Sequence, residues 1–301
     1  MNLVELASKQ FLRHLKPAHF LAARSKYYAA KRKLEPLILL RNGKFSTADL
    51  LQEINSRIGS DVDILMVHSS VNSLFPMYQG TAIELLNGLI EYCGSRTTLV
   101  MPAFVFQDPV RQSFASGKQE PAVFNVRRTP SQMGLITELF RRTKGAHVSR
   151  HPAYRVAALG PLAESIVRNQ EQSPTGMGRG TPFDFMAIHN AHIIGIGKSF
   201  QVLTQAHHVE SLLGDDFPVE KSQSAPRLIT LKDGDELVEM QVGGFQTDWE
   251  FDIWKLRKIM DSGTLREWKF HGVPMFSTRA GDVTDALLAA AAKGITLYNK
   301  P

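Results

Sequence analysis

The 301-residue chain has a single cysteine, Cys93, and lacks any apolar run of the ~18 residues that a membrane-spanning helix requires. Each scarcity excludes a class. One thiol cannot make an internal disulfide framework or a Cys-rich zinc site. With nothing adjacent to depress its pKa, Cys93, at the end of the helical LLNGLIEYCG, reads as a buried structural thiol. The N-terminus lacks the apolar core and small-residue cleavage site of a secretory signal, so the cytoplasm is the expected compartment. The glycine-rich loop at 173–184 lacks the Gly-Lys-Ser/Thr ending of a phosphate loop, and the chain has no His-Glu-x-x-His pair and no internal repeat.

Of the 301 residues, 43% are hydrophobic and 21% charged, enough for one large α/β domain or two modest ones with buried cores. The net charge of +6 is unevenly spread. Residues 1–45 carry 10 Lys or Arg against 2 Glu, whereas residues 46–301 carry 25 basic and 27 acidic residues. Within the first segment, Val4, Ala7, Phe11 and Leu15 share one helical face and Lys9, Arg13 and Lys16 the opposite one. The stretch 1–45 therefore reads as a basic amphipathic helical arm. It would either lie peripherally on an anionic membrane surface or partner, or pack on the body or on a second subunit of a homodimer. No nucleic-acid motif accompanies it.

From residue 46 the pattern alternates. STADLLQEINSRIG is helical with a Ser N-cap, DILMVHSSV an apolar strand, TAIELLNGLIEYCG a helix and TTLVMPAF a strand. SQMGLITELFRRT (helix), RVAALGP (strand), LAESIVRNQ (helix), AHIIGIG (strand) and LTQAHHVESLL (helix) follow. PRLITLKDGDELVEMQVGGF reads as a hairpin closed by a DG turn. The expected fold is a three-layer αβα domain over 46–301 with a mixed central sheet and an antiparallel C-terminal portion.

Three stretches carry candidate chemistry. Ser69 and Ser70 lie at a strand end, where ligand contacts collect in open α/β sheets; they can serve a polar ligand or simply close a tight turn. SPTGMGRGTPFD (173–184) has three glycines in five residues ahead of a helix start, which suits an approaching anion or a plain surface loop. In TQAHHVE (204–210), a helix starting near Thr204 puts His207 and Glu210 on one face, so the carboxylate can fix the imidazole tautomer and raise its basicity. His208 points about 100° away and reads as packing or surface. A zinc site would need a third ligand such as His151.

Together, MVHSSVNSL (66–74), TLVMPAF (98–104), FNVRRTPSQMGLITELFRR (124–142), SRHPAYRVAALGPLA (149–163), GRGTPFD (178–184) and TQAHHVE (204–210) resemble the motifs of the aminoglycoside 3-N-acetyltransferase family, in order, across 46–220. The resemblance implies direct acyl transfer from acetyl-CoA to a primary amine of an amino sugar, with no covalent intermediate and no metal. It makes His207 the general base and Glu210 its orienting carboxylate. His68, Ser69 and Ser70 with Gly178, Gly180, Thr181 and Pro182 become parts of the acyl-CoA site, the Ser69 and Ser70 amides facing an oxyanion. Thr204, His151, Arg155 and Asp184 are candidates on the acceptor side. Family members usually carry Arg where Asn72 stands, Gly at Gln79 and Ser at Arg155. With no acidic belt evident, the acceptor is expected to be a nucleotide- or lipid-linked amino sugar of surface polysaccharide synthesis or an aminoglycoside. An acyl-CoA-binding protein without turnover and a metal-dependent hydrolase on His207, His208 and His151 are the competing classes.

Overall fold

The run ILMVHS at Ile64–Ser69 (β1) buries its first five residues because β1 is the middle strand of a seven-stranded sheet, shielded on both faces. A computed structural model describes residues 33–106, 122–222 and 226–301. The other strands are β2 (Thr98–Pro102), β3 (Ala122–Asn125), β4 (His147–Val148), β5 (Val156–Leu159), β6 (His192–Ile196), β7 (Arg227–Asp233), β8 (Glu236–Val242), β9 (Glu250–Phe251), β10 (Arg266–Phe270), β11 (Val273–Arg279) and β12 (Tyr298–Asn299). The main sheet runs β10-β11-β6-β1-β2-β5-β4, with β1 parallel to both neighbours and the outer strands antiparallel.

Alternation along β1 splits the core. Ile64 and Met66 face one cluster and Leu65 and Val67 the other. The helices that position the body are α1 (Glu35–Asn42), α2 (Thr47–Ile58), α3 (Ala82–Cys93), α4 (Pro182–Ile188), α5 (His208–Leu213) and α6 (Ala280–Ala291). Leu50 and Ile54 of α2 and Leu85, Leu86 and Leu89 of α3 cover one face; Phe183 and Met186 of α4 and Val283 and Leu287 of α6 cover the other. The result is the expected αβα layering. Reciprocal capping boxes, Ser46 with Asp49 and Thr81 with Glu84, start α2 and α3. Cys93 is buried at the end of α3, its thiol pushed up to about 12 by desolvation.

The C-terminal portion is less separate than expected. The β7–β8 hairpin turns at Gly234, in the left-handed region at φ +67°, as the DG signal requires. However, β3 joins β7 in parallel, and β10 and β11 extend the main sheet through β6. Residues 1–32, most of the expected arm, lie outside the described residues. Leu37 and Leu40 of α1 are exposed, whereas Phe45 is buried, with Tyr78 and Phe270 at ring distances of 5.6 and 5.0 Å. No helix among the described residues is long and apolar enough to cross a membrane.

Candidate active site

The central strand delivers His68 and Ser69 to its C-terminal end, between the ends of β2 and β6, where the chain crosses to opposite sides of β1. A cavity of about 380 Å³ opens there, lined among others by His68, Ser69, Ser70, Asn72, Pro102 and Lys198. The turn that carries Lys198 needs a glycine. A Cβ at Gly197, which sits at φ +69°, would stand 2.7 Å from the Ser70 carbonyl oxygen. Close approach lets the Ser70 N–H donate to the Ile196 carbonyl at 2.8 Å, while the Ser73 hydroxyl donates to Ser70 Oγ at 2.9 Å. The Ser70 amide is therefore spent on the fold and does not serve an oxyanion, contrary to the sequence expectation.

His68 and the Ser69 hydroxyl are different. Neither ring nitrogen of His68 nor Ser69 Oγ has a hydrogen-bond partner among the described residues, although these atoms are buried. Burial, with Lys198 adding to it, holds the His68 imidazole down at about 4, so it is neutral at physiological pH. Buried polar atoms of this kind are costly unless something meets them. Lys198 brings an ammonium to the same wall as Asn72.

The second centre lies on the turn after β6. Thr204–His207 forms a short 3-10 turn that passes into α5, so the helix proper begins at His208. Gln205 anchors the turn by donating to the Phe183 carbonyl of α4 at 3.0 Å and to Thr284 Oγ1 of α6 at 3.2 Å. The Thr204 hydroxyl is buried and unpartnered. His207 Nδ1 lies 2.9 Å from Glu210 Oε1, the imidazole side chain 34% exposed and the carboxylate 8%. The same oxygen accepts the Tyr298 hydroxyl at 2.7 Å. Burial foremost, and then the Glu210 charge, raises the Tyr298 phenol far above its usual range, so it stays a donor. The Phe251 ring packs 4.6 Å from His207, and β9 and β12 place Phe251 directly opposite Tyr298.

The remaining predicted residues hold structure. His208 is fully buried; its Nδ1–H donates to the Met177 carbonyl and its Nε2 stands 3.5 Å from Asp184. His151 is buried too, its Nδ1 accepting from the Ala153 and Tyr154 amides at 3.2 and 3.0 Å. Its ring leaves no room for a Cβ at Gly176. Arg155, placed on the acceptor side by the sequence, has no exposed surface: its Nε donates to the Ala103 carbonyl at 3.0 Å, and its two other nitrogens donate to the carbonyls of Val126 and Thr129. The glycine loop also turns inward. The Gly176, Met177 and Gly180 amides are taken by Ser173, Thr175 and Asp184, Thr181 Oγ1 donates to the Gly178 carbonyl, and Thr181 and Pro182 are buried. It packs against α5 through the Met177 carbonyl, with those three amides committed within the loop and its following helix.

His207, His208 and His151 thus point to separate partners, and no group of three or more metal-ligating side chains gathers among the described residues. Tyr298, Phe251 and Lys198 were not anticipated. Lys198 follows a strand end beside β1, a signal that was present; Tyr298 in TLYNKP carries none that one sequence reveals.

The chain is 23% identical over 158 residues to aminoglycoside N(3)-acetyltransferase III of Serratia marcescens, covering 50% of this chain and 58% of that one. It is 26% identical over 162 residues to aminoglycoside N(3)-acetyltransferase IX of Micromonospora chalcea, covering 50% and 57%. The match spans little more than half the length of these curated relatives. In fold it resembles aminoglycoside acetyltransferase AAC(3)-Xa, with a TM-score of 0.66 at 18% identity over 85% of this chain and 95% of that one. AAC-IIIb, solved with CoASH, gives 0.64 at 17% identity over 85% and 99%. A family model described as aminoglycoside 3-N-acetyltransferase matches residues 66–290, and the chain belongs to that family.

Proposed function

We propose that this chain transfers an acetyl group from acetyl-CoA to a primary amine of an amino sugar, with His207 as general base. One observation carries the reading: His207, partly exposed, is bonded through Nδ1 to Glu210, whose same oxygen is held by Tyr298. With Nδ1–H donated to the carboxylate, Nε2 keeps its lone pair and is the nitrogen that takes a proton. An alkylammonium is not a nucleophile until that proton leaves. The freed amine forms a C–N bond to the thioester carbonyl carbon, the C–S bond breaks, and CoA departs as a thiolate that is protonated to the free thiol.

The β1 cavity suits the acyl donor. Its neutral His68, the unpartnered Ser69 hydroxyl and the Lys198 ammonium are the polar groups available to a thioester and its developing negative charge. The relative solved with CoASH and AAC-VIa solved with sisomicin support a CoA donor and an amino-sugar acceptor. For residues 1–45 we infer an appended basic arm in contact with a membrane surface or a partner, supported by the exposed Leu37 and Leu40 at its described end.

The test is release of free CoA thiol from acetyl-CoA, in wild type and His207→Ala, across aminoglycosides and nucleotide-linked amino sugars. Turnover that needs both an amine acceptor and His207 is expected. Turnover unaffected by His207→Ala would remove the base, and acetyl-CoA binding without turnover on any acceptor would leave a binding protein.

A further inference from the structure

Another cavity, of about 790 Å³, includes Tyr298 in its wall, and four lysines line it: Lys255, Lys258, Lys293 and Lys300. No carboxylate lines it, and none of the four lysines makes an ion pair with a carboxylate among the described residues. The contrast with the arginine-rich cavity elsewhere is instructive. There, Arg127 and Arg150 meet Asp233, Arg141 and Arg142 meet Glu138, and Arg168 meets Glu164, so the charge is already answered. The lysine cavity is uncompensated.

Its position links it to the chemistry. Tyr298 is shared, lining this cavity while its hydroxyl holds Glu210. On the β9–β12 ribbon Phe251, which packs on His207, opposes Tyr298, and Trp249 and Lys300 lie just beyond the paired residues. Lys300 Nζ stands 6.0 Å over the Trp249 ring, and Lys255 donates to the Tyr298 carbonyl. Ala286, Ala289, Ala290 and Ile295 form an apolar floor.

We propose that this cavity binds the anionic end of the acceptor: the amine substrate carries a phosphate or diphosphate, met by the four lysines, with an attached planar group stacked on Trp249. The inference rests on the amino-sugar acetyltransferase reading and narrows it. Four ammonium groups with no carboxylate partner among the described residues, in a cavity that shares Tyr298 with the proposed base, repel a polycationic acceptor and attract an anionic one. The same phosphate chemistry is also present in the ADP portion of CoA, and the experiment separates the two sources.

Two measurements on the full-length chain decide it, each comparing wild type with Lys258→Gln/Lys293→Gln. In the thiol-release assay the acceptors are glucosamine and UDP-glucosamine, and the donors acetyl-CoA and acetyl-pantetheine, which lacks the phosphates. The expected result is a KM for UDP-glucosamine raised about tenfold or more in the variant, equivalent to about 1.4 kcal/mol or more. The KM for acetyl-CoA and turnover of glucosamine should not move. A raised KM for acetyl-CoA but not for acetyl-pantetheine would overturn the proposal by assigning the lysines to CoA, and equal acceptor KM values in both proteins would overturn it outright. The second measurement is calorimetric binding of UDP-glucosamine, which needs no turnover. Affinity lost in the variant supports the anion site even if the transfer reaction is never seen; affinity unchanged or absent refutes it.

Discussion

Tyr298 and Glu210, 88 positions apart, share a 2.7 Å hydrogen bond in which the buried phenol donates to the carboxylate. The orienting carboxylate of the proposed base is thus itself oriented, from the last strand of the fold. Removing one bond to a charged group forfeits about 1.5–3 kcal/mol. For Tyr298→Phe the expected outcome is a kcat lower by about ten- to a hundredfold if that loss falls on the transition state. Unchanged folding by circular dichroism and an unchanged KM for acetyl-CoA would place the effect on base positioning; a raised KM alone would place Tyr298 in substrate binding.

His207→Ala removes the proton acceptor and is expected to lower kcat by at least about 100-fold with little change in acetyl-CoA affinity. Glu210→Gln keeps an oxygen for the imidazole but not the charge, so a smaller fall in the same direction is expected. Steady-state kinetics with calorimetric acetyl-CoA binding check both, and near-normal turnover of His207→Ala would end the assignment.

Arg155 serves stability, not the acceptor. Its guanidinium satisfies three backbone carbonyls from the segments around Ala103, Val126 and Thr129. Arg155→Ser, which installs the residue usual in relatives, strands those carbonyls in the interior at about 1–3 kcal/mol each. A thermal midpoint lower by several degrees is expected in calorimetry, with KM values at low temperature close to wild type.

His68 and His192 are both held down to about 4, chiefly by burial. The folded protein therefore refuses protons that the unfolded chain accepts below its ordinary value near 6.5. Their contribution to stability is complete above about pH 6.5 and is lost as pH falls toward 4. The thermal midpoint should drop across that window, and His68→Gln should flatten the drop. A midpoint independent of pH there would contradict the burial of His68 and the partial burial of His192.

Much of the body was legible because its signals are local. Ser46 and Thr81 announce α2 and α3 with capping boxes, and the buried runs of β1, β2 and β6 have no helical spacing to confuse them. The pairing of His207 with Glu210 could be read from a three-residue interval, even though the turn is 3-10 at His207 and α-helical only from His208. What was hidden depends on distant partners. Ala122–Asn125 becomes a strand only because β7 lies beside it, and the buried ring of Tyr298 becomes an orienting donor only because β12 pairs with β9. Part of the glycine loop is hidden for a similar reason: Ser173, Thr175 and Asp184 take the amides of Gly176, Met177 and Gly180.

The β9–β12 ladder has two rungs, Tyr298 opposite Phe251 and Asn299 opposite Glu250. Such a short ribbon opens at a free energy well below that of the seven-stranded sheet. Because Phe251 packs on the proposed base and Tyr298 steadies its carboxylate, opening the ribbon would misalign both. On the proposed mechanism, competence for catalysis would therefore have its own, lower threshold, and anything that engages the ribbon, including a ligand spanning Trp249 and Lys300, would stabilise the active arrangement before it stabilised the fold.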